Sequence, residues 1–362
     1  MIKIQNIYYM LAYAFQILKS DAYSFCETEE FENAADLLAA ILEKGISIQI
    51  KKRGLKRDYV ESTETANYVK GKIDLSESIK NQSIINHQLV CSFDNFSLDC
   101  YANRILKTTI QLLIKSDIKQ YRKKSLRNLL SYFKDVRSLD IKSIKRINWN
   151  MKFNKNNQSY QMLISICYLV LNGLIQTTTE GSTKLLNFLD EQSMSRLYEK
   201  FILEYYKKHY PELKPAASYV NWALDEGMDN LLPIMKTDIT LTYGNKVLII
   251  DAKYYSHTTQ VRFDKNTIHS NNLYQIFTYV KNKACSGKNV SGMILYARTD
   301  ELIQPESSYV MSGNMIDVRT LDLNCDFEVI KRQLDGIVEE FFKSRATNNK
   351  VALFLCSLCS LP

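Results

Sequence analysis

A chain of 362 residues with 46% apolar and 24% charged content is long enough for two hydrophobic cores and too apolar to stay disordered. Eleven Gly and five Pro leave few flexible connections, and the eight scattered Cys read as small core residues of a reducing compartment, with Cys356 and Cys359 lacking the second pair or His cluster of a structural zinc site. The start of the chain lacks a basic leader and a small-residue cleavage site, and the longest apolar run, 162–175, is too short to span a bilayer, so a soluble cytoplasmic protein with no membrane contact is expected.

Residues 5–20 read as a helix apolar on most faces, with Ile7, Met10, Leu11, Ala14, Phe15 and Leu18 along one side and Tyr8, Tyr9 and Tyr13 around the rest, as in a buried or docked helix. A second helix is expected over 29–44. The apolar period then changes to two in ISIQIKK, which predicts a strand entering a basic turn at 51–57. Short strands and polar turns alternate through 59–98, and helices follow over 101–116, 118–136 and 160–177, the last nearly all apolar. The net charge of +8 is concentrated here: residues 101–160 hold fifteen Lys or Arg against three Asp. That excess is either a solvated helical face or a surface for nucleic-acid phosphates or an acidic partner. A composition change at 178–183 suggests the boundary between two halves.

Beyond it, a helix over 194–210, a strand over 219–224, a hairpin within 234–255, a polar stretch over 256–270, a helix over 271–282 and a strand over 291–297 are expected. The hairpin, IMKTDITLTYGNKVLIIDAKYY, carries the chemistry. Gly244-Asn245 suits a two-residue II′ turn, and pairing Tyr243 with Lys246 sets Asp238 across from Asp251, with Lys253 on the same face. Facing carboxylates destabilise a sheet, and a divalent cation resolves the conflict. Asp238 and Asp251 would ligate Mg²⁺, the Ala252 carbonyl could add a ligand, and Lys253 would position the attacking water of a phosphodiester hydrolysis. The alternative is a salt-bridged hairpin edge with no catalytic role. Glu199, on the preceding helix, is either an exposed helical Glu or a further carboxylate approaching the metal. Gln275 and Tyr279, four apart on the following helix, share a face. His257 and His269 lie beyond Lys253 and read as loop residues rather than catalysts.

D-x(12)-D-x-K in the order helix, three strands, helix, strand resembles the αβββαβ core of the PD-(D/E)xK nuclease superfamily, with Thr237 where a proline would precede Asp238. Q-x-x-x-Y after it resembles the accessory motif of RecB-like nucleases, which helps position the DNA strand. Together, IQNIYYMLAYAF, VKGKIDLSESI, ANRILKTTI, LLPIMKTDITL, VLIIDAKYY and NLYQIFTY resemble the McrC family over about residues 4–343. The resemblance implies a mixed α+β chain: an N-terminal helical and β-rich domain at 1–190 that binds and stimulates McrB, a hexameric AAA+ GTPase recognising methylated cytosine, and a PD-(D/E)xK endonuclease domain at 191–345 that cleaves double-stranded DNA after translocation. The tail 346–362 has no assigned role. No G-x-x-x-x-G-K-[ST] occurs, so a partner must supply the GTPase. A regulatory scaffold with a vestigial nuclease, and a stand-alone nuclease, are the competing readings.

Overall fold

The structure is a computed structural model describing residues 2–15, 18, 20–149, 151–153, 157–179, 191–227, 230–255, 259–262 and 265–343. It is a mixed α+β protein of two compact units, one formed by the described residues of Met1–Glu27 and Asp190–Pro362, the other by those of Thr28–Leu189. The expected division 1–190 is therefore corrected at its start, because the first helix belongs with the second half of the chain.

That helix, α1 (Ile4–Ala14), ends earlier than expected: Phe15 is extended, and its N–H caps the Leu11 carbonyl. Leu18 is nevertheless buried. A single helical turn, α2 (Phe25–Thr28), follows.

In the inserted unit, α3 (Ala34–Arg53) absorbs the expected strand at ISIQIKK. Ile46 and Gln49 are buried together with Leu42, at helical rather than alternate spacing, so packing overrides the β-branched run. Gly54, at φ +71°, caps the Ile50 carbonyl and ends the helix. Next come β1 (Asp58–Ala66), β2 (Lys72–Ile73), α4 (Leu75–Lys80) and β3 (Leu89–Ser97), forming an antiparallel sheet of order β1-β3-β2. The helices α5 (Tyr101–Lys115), α6 (Gln120–Leu130), α7 (Ile141–Lys145) and α8 (Gln158–Thr179) complete the unit. The basic helix is thus shorter than 118–136, with a 3-10 turn at Ser131–Phe133 continuing it. The core lies between α3, α5, α6 and α8, from Leu38 and Ile41 to Ile105, Leu126, Leu163 and Ile166. Residues 180–183 of the expected boundary, His257, Cys356, Cys359 and the tail lie outside the described residues.

The other unit resumes with α9 (Glu191–His209), against which α1 packs: the Tyr13 ring meets Phe201 and Tyr205, and its hydroxyl lies 2.7 Å from His209 Nε2. Two residues only, β4 (Tyr219–Val220), form the strand expected at 219–224, pairing with β5 (Met235–Lys236) in a separate ladder. The main sheet contains β6 (Ile239–Tyr243) and β7 (Lys246–Lys253). The stretch expected to be a polar loop holds another hairpin, β8 (Thr259–Arg262) with β9 (Lys265–Ile268). After α10 (Ser270–Ala284), β10 (Asn289–Ala297) joins the sheet in parallel beside β7. Two strands and a helix not anticipated from sequence follow: β11 (Ser307–Met311), β12 (Asn314–Leu321) and α11 (Phe327–Val338). The sheet order is β11-β12-β10-β7-β6. On one face Val247 and Ile249 pack with Ile276 and Val280 of α10, while α9 packs against β7 and β6.

Candidate active site

The hairpin has the expected register. Tyr243 pairs with Lys246 and Ile239 with Ile250, and Gly244 takes φ +57°, as a II′ turn requires of its first central residue. Asp238 stands one residue beyond the last pair. With β6 ended, the Ala252 N–H that would have joined the ladder donates instead to Asp238 Oδ2 at 3.0 Å. A strand residue directs its N–H and C=O to the same side, so the Ala252 carbonyl points toward that side as well.

Asp251 is 1% exposed and lies beside Asp238. Lys253 Nζ is 2.9 Å from both Asp251 carboxylate oxygens and donates to Oδ1, leaving Oδ2 buried with no hydrogen bond. Burial, augmented by the Asp238 charge and opposed by Lys253, pushes the Asp251 carboxyl up to about 7. Burial also raises Asp238, against Lys253 and the Ala252 N–H. Burial by itself would lower Lys253, but Asp251 and Asp238 outweigh it and hold the ammonium charged.

The next helix braces this cation. Lys253 Nζ donates to Gln275 Oε1 at 3.3 Å, and Gln275 Nε2 donates to the Tyr279 hydroxyl at 2.9 Å, so Q-x-x-x-Y and D-x-K form one hydrogen-bonded chain. Gly292 of β10 lets α10 come close enough for this: a Cβ there would stand 2.7 Å from Ile276 Cγ1 and 2.8 Å from Val280 Cγ2. Glu199 accepts from Ser195 Oγ at 3.0 Å; burial, then the Asp238 charge, push it up to about 7.

Sequence reasoning passed over three neighbours. The Tyr255 hydroxyl donates to Asn272 Oδ1 at 3.2 Å, and Asn272 Nδ2 donates to the Tyr296 hydroxyl at 3.0 Å, with Tyr296 beside Lys253 in the ladder. Tyr255 sits two after Lys253 and Asn272 one turn before Gln275, spacings that could have flagged both. His269 is the N-cap residue of α10, its ring 5.3 Å from that of Tyr255.

The donor set fits a hard divalent cation. Asp251 Oδ2 is a buried oxygen without a hydrogen bond, and two carboxylates with a backbone carbonyl are the ligand types Mg²⁺ takes while keeping several waters. Among the described residues no three His, Cys, Asp or Glu side chains form a ready metal cluster, so Glu199 borders this set without completing a carboxylate triad.

Residues 4–297 match the family described as McrBC 5-methylcytosine restriction system component. The chain belongs to that family. It is 31% identical over 348 residues to the Type IV methyl-directed restriction enzyme EcoKMcrBC of Escherichia coli (strain K12), covering 94% of this chain and 99% of that protein. Two solved structures from Thermococcus gammatolerans are similar at lower identity. A half-complex of a tetradecameric assembly of McrB AAA+ hexamers with bound McrC gives 16% identity and a TM-score of 0.45, covering 92% of this chain and 76% of the other. The cryo-EM structure of the McrBC complex gives 17% and 0.38, covering 56% of each chain. No described helix is long and apolar enough to cross a membrane.

Proposed function

We propose that this restriction-system component is a Mg²⁺-dependent endodeoxyribonuclease of PD-(D/E)xK type that cleaves double-stranded DNA bearing modified cytosine, in the cytoplasm, as the partner of a GTP-hydrolysing AAA+ hexamer of McrB type. The observation that carries the reading is the buried Asp251 beside Asp238, its Oδ2 ion-paired with Lys253 and accepting no hydrogen bond. Asp238, Asp251 and the Ala252 carbonyl hold the cation. When bound, Mg²⁺ supplies Lewis-acid polarisation of a phosphoryl oxygen and a water of lowered pKa. Lys253 orients that water and offsets the charge developing on phosphate, and Gln275, itself fixed by Tyr279, holds the ammonium in place. Glu199, pushed up to about 7, is suited to take or give a proton near neutrality.

The partner assignment is supported by the family and by a sequence with no Walker A motif to bind GTP itself. The inserted unit Thr28–Leu189 takes the partner-binding, GTPase-stimulating role expected of the first half.

The test is cleavage of methylated DNA by the full chain with the AAA+ partner, GTP and Mg²⁺. Asp251→Ala should cut about 10³-fold more slowly or worse, a loss of about 4 kcal/mol of transition-state stabilisation. It should still stimulate the partner's GTPase. Unchanged cutting by this variant overturns the nuclease assignment, and cutting by the wild-type chain without partner or nucleotide overturns the dependence on the AAA+ ring.

A further inference from the structure

We propose that the outward ridge of α6, carrying Lys124, Arg127 and Lys134, binds the phosphate backbone of double-stranded DNA apart from the cleavage site. Eight of the fifteen cations of the basic segment divide into two groups. Arg104 and Arg137 pair with Asp99, Lys107 donates to the carbonyls of Phe133 and Val136, and Arg122 and Lys119 pair with Glu29 and Asp36. These hold the fold. Lys124, Arg127 and Lys134 are exposed and have no carboxylate partner among the described residues.

They also lie along one ridge. The helix turns Arg122, Leu126 and Leu129 inward, and helical spacing sets Lys124, Arg127, Asn128 and Ser131 on the outer side, where all four are exposed. The 3-10 turn Ser131–Phe133 buries Phe133, and Lys134 keeps right-handed helical dihedrals, so the ridge runs on past the α-helix for about 15 Å from Lys124 to Lys134. Like charges at i and i+3, as in Lys124 and Arg127, repel along a helix, and a polyanion converts that repulsion into attraction. Duplex DNA presents about one negative charge per 1.7 Å of axis, and contacts to its backbone need cations and small polar donors, not an apolar anchor. Tyr132 is the one large apolar side chain exposed between Lys124 and Lys134, so the ridge offers little apolar surface to a protein partner.

The experiment is fluorescence anisotropy of the full chain on an unmethylated duplex, in magnesium-free buffer so that cleavage plays no part, across a salt series. The triple variant Lys124→Gln, Arg127→Gln, Lys134→Gln should bind about tenfold more weakly or worse, with a log–log salt slope lower by about 2 to 3, from about 0.9 per lost phosphate contact. Its melting temperature and its stimulation of the partner's GTPase should stay at wild-type values. Should the triple variant misfold, Arg127→Gln alone should lower the slope by about 1. Unchanged affinity and slope overturn the proposal, as does lost GTPase stimulation with unchanged DNA binding, which would assign the ridge to an acidic protein surface. The assay reads binding with cleavage switched off, so failure of the nuclease reading and failure of this one are told apart.

Discussion

Among the aspartates buried at 1% exposure with one oxygen lacking a hydrogen bond are Asp36 in one unit and Asp251 in the other, yet the two are built for opposite ends. Asp36 accepts from Arg122 Nε at 2.9 Å and from the Lys119 backbone N–H at 3.2 Å, and with Glu29 it forms a network in which the Lys119 and Arg122 cations match two carboxylates. Asp251 faces a second carboxylate, Asp238, with Glu199 in the same field, and Lys253 is the cation bonded into the pair. A balanced buried network fixes an inter-helix arrangement; a buried excess of carboxylate is a standing demand for a cation from outside.

Substitution should expose that difference first as a contrast in stability. Asp36→Ala leaves Arg122 buried beside one carboxylate and should cost about 3 kcal/mol in chemical denaturation. Asp251→Ala removes a repelling charge and should leave stability equal or higher. Equal losses at the two positions would dissolve the distinction. Next in size, Gly292→Ala should cost about 2 kcal/mol through overpacking against Ile276 and Val280, and should slow cleavage because those residues seat the helix carrying Gln275.

A further effect concerns pH. The folded Asp251 carboxyl, at about 7, lies above its unfolded value of about 4, so the native state binds more protons between the two. The stability it contributes is full below about 4 and is lost as pH rises through about 7. Thermal melts of wild type against Asp251→Asn should show this difference, and a millimolar divalent cation should restore wild-type stability at pH 7.5 while leaving the variant unmoved. A cation response equal in both proteins would remove Asp251 from the proposed metal site. Smallest of all, Tyr279→Phe deletes the acceptor of the Gln275 amide, a bond worth about 1 kcal/mol, and should slow turnover about fivefold with little change in melting temperature. A full-rate variant would take Tyr279 out of the positioning chain.

What could be read in advance followed from local rules. A two-residue turn at Gly244-Asn245 admits one register, so the placement of Asp238 against Asp251 was legible, as was the shared face of Gln275 and Tyr279. Packing decided the rest. ISIQIKK alternates like a strand, but Ile46 and Gln49 are held on the inner side of α3. Nor did any local signal indicate that Asn6 would donate to the carbonyls of Leu323 and Cys325, more than three hundred residues on. The hydrogen-bond demand that truncates β6 before Asp238 is likewise a property of the assembled sheet.

Because α1 belongs with α9, the polypeptide leaves one unit after Glu27 and returns to it at Asp190, which imposes an order on biosynthesis. At about 5–20 residues per second, α1 waits roughly 10–40 s for the helix it packs on, while the whole inserted unit emerges. During that interval its apolar faces are open to chaperones or to misassembly. A fragment cut near residue 190 freezes the same situation, leaving one piece with an unpartnered helix and the other without its cover, so separating the two proposed activities calls for point substitutions in the intact chain.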